Sequence, residues 1–184
     1  MKPDPMAYAS QSLSLHQPHQ SAYMPPSIKD AMACFGTGVT VITTHHEGQD
    51  WGMTCNSFNT VSLDPAMVLW SIRKTSQSRA AFEASDGYTV NILSTHQHAL
   101  AMRFTQGTQT ERFAGTEMLR TEGNHPRIAD TLAWFRCALE SSVSAGDHLI
   151  LIGRVLEYGI TNDSQLEPLL YAKRAFGSLK PKHM

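Results

Sequence analysis

Three cysteines, Cys34, Cys55 and Cys137, are all that this 184-residue chain contains. No two form a Cys-x-x-Cys pair, which excludes a zinc ribbon or a dithiol redox motif. An odd count without regular spacing fits reduced thiols rather than a disulfide framework. No apolar run approaches the ~20 residues that a bilayer-spanning helix needs. The N-terminus lacks a basic start followed by an apolar segment, so it does not read as a secretory signal. Both absences point to the cytoplasm. Net charge is close to zero, −1 with His neutral, and gives no electrostatic reason to expect nucleic acid or an anionic membrane as partner. Apolar residues make up 41% and charged residues 17%, the balance of a soluble globular protein long enough for one domain with a real core.

Several catalytic signatures are missing as well. Gly36-Thr37-Gly38 lacks the third glycine of a dinucleotide fingerprint and precedes a strand, so it reads as a helix-to-strand turn. There is no phosphate loop of the Gly-x-x-x-x-Gly-Lys-Ser/Thr type and no Gly-x-Ser-x-Gly elbow. His45-His46 falls at a hairpin turn. His96 and His98 are two apart, off a common helical face, and neither pair has a Cys or acidic cluster, so no metal site is expected. Asp147 and His148 are adjacent and would point to opposite faces of an extended strand, which speaks against a Ser-His-Asp hydrolase.

What is present is a series of short β-like segments with two or three helices between them. Residues 1–24, rich in Ser, Gln, His and Pro, read as a flexible tail, and 25–184 as one domain. Ser27 is a good N-cap for a short helix ending before Gly36, with Asp30 in its first turn. Strands are expected over 39–44, 51–58, 60–63, 67–72, 88–93, 134–143 and 149–158, with turns at 47–50 and at Asp64-Pro65. Residues 76–84 and 96–104 read as helices, and 105–127 as a long loop with partial helix. This pattern argues for a mainly β fold, a barrel with helical insertions, rather than a parallel βαβ sheet.

Within that pattern a few segments carry chemistry. Gly146-Asp147-His148 opens the run Leu149 to Val155, placing a titratable side chain at a strand mouth; a plain turn accounts for it equally. Thr54-Cys55-Asn56-Ser57 collects hydroxyls and an amide at the end of a strand, either as a solvated face or against a polar ligand. Arg73 to Arg79 offers cations, hydroxyls and helix-start amides suited to a phosphate, or else a basic solvated turn capped by Thr75 or Ser76. Asn91 sits inside a strand, where Asn is disfavoured, as a ligand contact or a bulge.

In order and spacing, 35–44, 52–58, 61–65, Val90-Asn91-Ile92-Leu93 with Gln97, Gly146-Asp147-His148 and Pro168-Leu169-Leu170-Tyr171 together resemble the flavin reductase-like family, over about 31–179. The resemblance implies an FMN-binding split β-barrel of Greek-key type. It implies an NAD(P)H:flavin oxidoreductase using FMN or FAD with NADH or NADPH, a homodimer, and a flavin-dependent monooxygenase as recipient of reduced flavin. It assigns Thr54, Cys55, Asn56, Ser57 and Ser71 to the flavin, and Lys74, Thr75, Ser78 and Arg79 to its phosphate. Asn91, Gln97, Phe104, Gly146, Asp147 and Tyr171 complete the cofactor contacts, with Phe176 as a further aromatic. His148 would position the nicotinamide or its phosphates, and Asp147 would hold the turn or orient His148 through backbone contacts. An FMN-binding electron carrier or sensory module of the same fold is the alternative, separable by NADH consumption with added flavin.

Overall fold

The computed structural model describes residues 27–179; the stretch read as a tail, 1–24, lies outside them. Ser27 and Asp30 form a reciprocal capping box that starts α1 (Ile28–Ala33). After β1 (Thr37–Gly38), β2 (Thr40–His46) and β3 (Gln49–Cys55) form a hairpin. Its two turn residues, Glu47 and Gly48, both have positive φ, 50° and 75°, the form whose twist matches paired strands. Asp64-Pro65 turns β4 (Asn59–Leu63) into β5 (Ala66–Arg73). Then follow α2 (Arg79–Ala84), β6 (Gly87–Ile92), a 3-10 turn at Thr95–Gln97, α3 (His98–Arg103) and α4 (Gln109–Phe113). Beyond them lie β7 (Met118–Arg120), β8 (Pro126–Ile128), the long hairpin β9 (Ala133–Ala145) and β10 (His148–Ile160), and the small strands β11 (Leu170–Ala172) and β12 (Ala175–Gly177).

The main sheet is antiparallel throughout, in the order β3-β2-β6-β9-β10-β5-β4. Alternation sets its two faces. On β5, Val68, Trp70 and Ile72 are buried while Ser71 and Arg73 point the other way. Leu149 and Leu151 of β10 join the same core. At its centre Trp70 meets Phe82 and Tyr88 edge-on, with ring centroids 4.9 and 5.6 Å apart. Gly153 is needed here because a Cβ would stand 2.2 Å from the Tyr88 hydroxyl. A second core, including Val39, Val41, Leu93 and Phe104, lies under α3.

The two ends of the sheet determine where a ligand can enter. The outer edge of β3 is covered: Gly52 N donates to Gln109 Oε1 at 2.9 Å, Gly52 O accepts from Arg112 at 2.7 Å, and Thr54 N donates to Phe104 O. β4 pairs only with the first half of β5, up to Leu69. Beyond it, Ser57 takes over as a one-residue partner. Its hydroxyl accepts from Ser71 N at 2.9 Å and donates to Ser71 O at 3.2 Å, drawing the β3 end against β5.

Three expectations need correction. The helix expected over 76–84 begins only at Arg79, with Ser78 as N-cap and no side-chain capping bond, because 74–78 is spent in turns. The strand expected over 51–58 ends at Cys55, where the chain crosses toward β5. The segment 105–127 carries α4 and the β7–β8 hairpin instead of a long loop; a Thr108–Glu111 capping box starts α4.

Candidate functional site

The seam between the β3 end and β5 is a cleft of about 430 Å³. Met53 to Ser57 line one wall, Ser71 and Arg73 the other, and Thr75, Ser76 and His148 one end. A second compartment of about 370 Å³ adjoins it, lined by Val39, Met102, Thr105, Tyr171 and Phe176. Thr54 and Asn56 border both, so the two are one continuous groove with a polar, cationic end and an aromatic end. Tyr171 and Phe176 pack edge to face at 5.1 Å, and His98 backs Phe176 at 4.6 Å.

The polar end is built by backbone register. His148 pairs with Arg73 across β10 and β5, so both side chains reach the cleft face while Leu149 and Ile72 enter the core. Among the described residues, no hydrogen bond or ion pair engages the Arg73 guanidinium or the Asn56 carboxamide. Gly146, with φ 58°, opens a two-residue turn to His148. Lys74 straps this turn to β5: its N donates to Asp147 O at 2.9 Å and its Nζ to Gly146 O at 2.7 Å. Asp147 Oδ1 lies 2.8 Å from His148 Nδ1. That hydrogen bond, aided by the imidazole's charge, holds the Asp147 carboxyl below its ordinary range. Asp147 thus contacts His148 through its side chain, where backbone contacts were expected.

The groove brings together Thr54, Cys55, Asn56, Ser57, Ser71, Thr75, His148 and Tyr171 of the anticipated residues. Cys55 is buried, with its Sγ 3.2 Å from Ser57 Oγ, and burial pushes its thiol upward despite that contact. The Thr54 hydroxyl is occupied by Ala101 O.

Others are engaged elsewhere. Lys74 and Gly146 form the strap. The Ser78 hydroxyl is buried and accepts from Gln109 at 3.0 Å. Arg79 pairs with Glu83 along α2. Asn91 is fully buried: its amide donates to Val41 O and Thr43 Oγ1, and its carbonyl accepts from Ile128 N. Its place in a strand is therefore explained by tying β6 to β2 and β8. Gln97 caps the 3-10 turn and donates to Ala129 O. Phe104 is core, edge-on to Phe113 at 5.0 Å.

Met53, Arg73, Ser76 and Met102 line the groove without having been singled out. For Arg73 the alternation of β5 held the signal: two residues after Ser71, it shares Ser71's face.

Comparison with known proteins agrees with this geometry. A family model described as the flavin reductase like domain matches residues 32–180. The chain is 34% identical over 169 residues to the FMN reductase (NADH) SmoA of Agrobacterium fabrum, covering 89% of this chain and 94% of that one. It is 34% identical over 153 residues to the stachydrine N-demethylase reductase subunit Stc3 of Rhizobium meliloti, covering 83% of this chain but only 65% of that longer relative. The crystal structure of a nitrilotriacetate monooxygenase component B homolog from Mycobacterium thermoresistibile superposes with a TM-score of 0.81 at 33% identity, over 85% of this chain and 87% of that one.

Proposed function

We propose that this chain, which belongs to the flavin reductase-like domain family, is an NADH-dependent flavin reductase that supplies reduced FMN or FAD to a flavin-dependent monooxygenase. One observation carries the reading: a single groove joins an unengaged cation and hydroxyls at one end to an aromatic compartment at the other. A flavin nucleotide has that polarity, with a planar apolar ring system and a phosphate joined by a polar chain. Arg73, with Thr75 and Ser76, would hold the phosphate, since Lys74 and Arg79 already have partners. Asn56, at the junction, would hydrogen-bond the ring edge, and Tyr171 would pack against the ring.

The chemistry supplied by the bound cofactors is hydride transfer from reduced nicotinamide to flavin, which asks for no protein acid or base. The protein's part is to bind and orient. His148, beside Arg73 at the polar end, would contact the nucleotide phosphates, with Asp147 fixing its ring. The Ser57–Ser71 contact would keep the two cleft walls at one spacing. We also assign the exposed stripe Leu156, Tyr158 and Ile160, on the part of β10 beyond β5, to contact with a second copy of the chain.

Steady-state NADH oxidation with FMN, FAD or riboflavin as acceptor tests the reading. Rapid turnover with free flavin is expected. Tight flavin binding without turnover would replace the reductase by an electron carrier.

A further inference from the structure

A separate cavity of about 260 Å³ lies on the other side of α3, bounded by α3, the start of β7 and the end of β8. Arg103 and Thr116 stand on its wall with Glu117 and Asp130, and Leu100 and Ile128 supply apolar surface. The Arg103 guanidinium donates one Nη hydrogen to Thr116 Oγ1. Its Nε is buried and has no partner among the described residues. A buried, unmatched guanidinium N–H is costly, because it has left water without gaining an acceptor. Neither carboxylate in the cavity forms an ion pair with it among the described residues. Cation and anions therefore face one space without neutralising one another.

We propose that this cavity binds a small aliphatic amino acid. The guanidinium offers a planar donor set suited to a carboxylate, and Arg pairs with carboxylates through two parallel hydrogen bonds. Glu117 and Asp130 accept from an ammonium group. Leu100 and Ile128 cover a short apolar side chain. A simple anion would meet the two carboxylates uncompensated, and a simple cation would meet Arg103. A zwitterion satisfies all three. The assignment does not rest on the flavin reading, since the two cavities have no lining residue in common.

Calorimetric titration of the full-length protein with L-valine, isovalerate and isobutylamine tests this. The three probes share a branched carbon skeleton and differ in which charges they carry. L-valine is expected to bind saturably, and each singly charged probe at least about tenfold more weakly. Arg103→Met and Glu117→Gln should each weaken valine by about tenfold or more. Glu117 is exposed, so its variant keeps the test valid if Arg103→Met unfolds. Isovalerate binding as tightly as valine would reduce the cavity to an anion site and overturn the proposal. So would the absence of saturable heat with valine, or valine binding that ignores Glu117→Gln.

Discussion

Arg73 and His148 stand directly opposite one another across β5 and β10, in a pair that exchanges no backbone hydrogen bonds of its own. The flanking bond from Lys74 N to Asp147 O identifies the pair type. Such pairs bring the backbones to ~4.5 Å and the side chains closest together. Two donors from distant parts of the chain thus meet at the end of the cleft, over a core that fixes both strands.

Removing one of them should act on the phosphate. Arg73→Ala is expected to weaken FMN by roughly 1.5–3 kcal/mol, about one to two orders of magnitude, and to leave riboflavin nearly unaffected. Fluorescence titration of both flavins reads the difference. A parallel loss for both would remove Arg73 from the phosphate end.

The tautomer of His148 should matter. Asp147 accepts from Nδ1–H, which leaves Nε2 as the other titrating atom of the ring. In Asp147→Asn the carboxamide can donate to Nδ1 and move the proton to Nε2. Altered NADH turnover at an unchanged melting temperature is expected, as the Asp147 side chain is exposed. Kinetics identical to the parent would show that the ring's orientation is irrelevant.

Ser57→Ala should loosen the seam. It removes two hydrogen bonds to the Ser71 backbone, each worth about 0.5–1.5 kcal/mol, and leaves those backbone groups to water. Urea unfolding should show a loss of roughly 1–2 kcal/mol, with weaker flavin binding. Full stability with full affinity would mean that the wall spacing is set elsewhere.

Gly153→Ala should destabilise by about 1–3 kcal/mol through overpacking against Tyr88. Tyr88→Phe alone should cost little, since the hydroxyl is buried without a partner, and should recover part of the loss in the double variant. Strict additivity in a thermal-denaturation cycle would contradict this contact.

Acid should act through His125. Burial between β2 and β8 lowers its pKa, against the pull of Asp86 and with help from Arg136 and His45. A histidine kept neutral by folding contributes stability above its unfolded value of about 6.5, and that stability is lost as pH falls from there toward the lowered folded value. His125→Gln should flatten the decline of melting temperature below pH about 6.5. An unchanged slope would place the acid sensitivity in other groups.

Most of the β elements were legible because period-two alternation survives in Val68, Trp70 and Ile72 and in Leu149 and Leu151. The β7–β8 hairpin was not, since its three-residue strands are too short for any period to show. In the groove, Thr54 to Ser57 could be found from composition and order. Ser78, Asn91 and Gln97 could not be told from ligand contacts, because a polar side chain satisfied by distant backbone looks the same in sequence as one awaiting a ligand. His125 gave no signal: its partners Thr44 and Asp86 lie 81 and 39 positions away. Arg73 was passed over among several cations in one turn, and only the strap through Lys74 and the Arg79–Glu83 pair show which of them remains unengaged.

That strap has a consequence for how specificity can change. Lys74 joins the 73–76 turn to the 146–148 turn by two hydrogen bonds, so the groups at the cationic end are carried by one body. A phosphate arriving there meets donors already in place and leaves little loop entropy to be lost. The same coupling makes the two turns poor subjects for separate alteration. A substitution that shifts one will drag the other, and new acceptor preferences should arise more readily at the aromatic end, where Met102 and Thr105 stand on a different part of the chain.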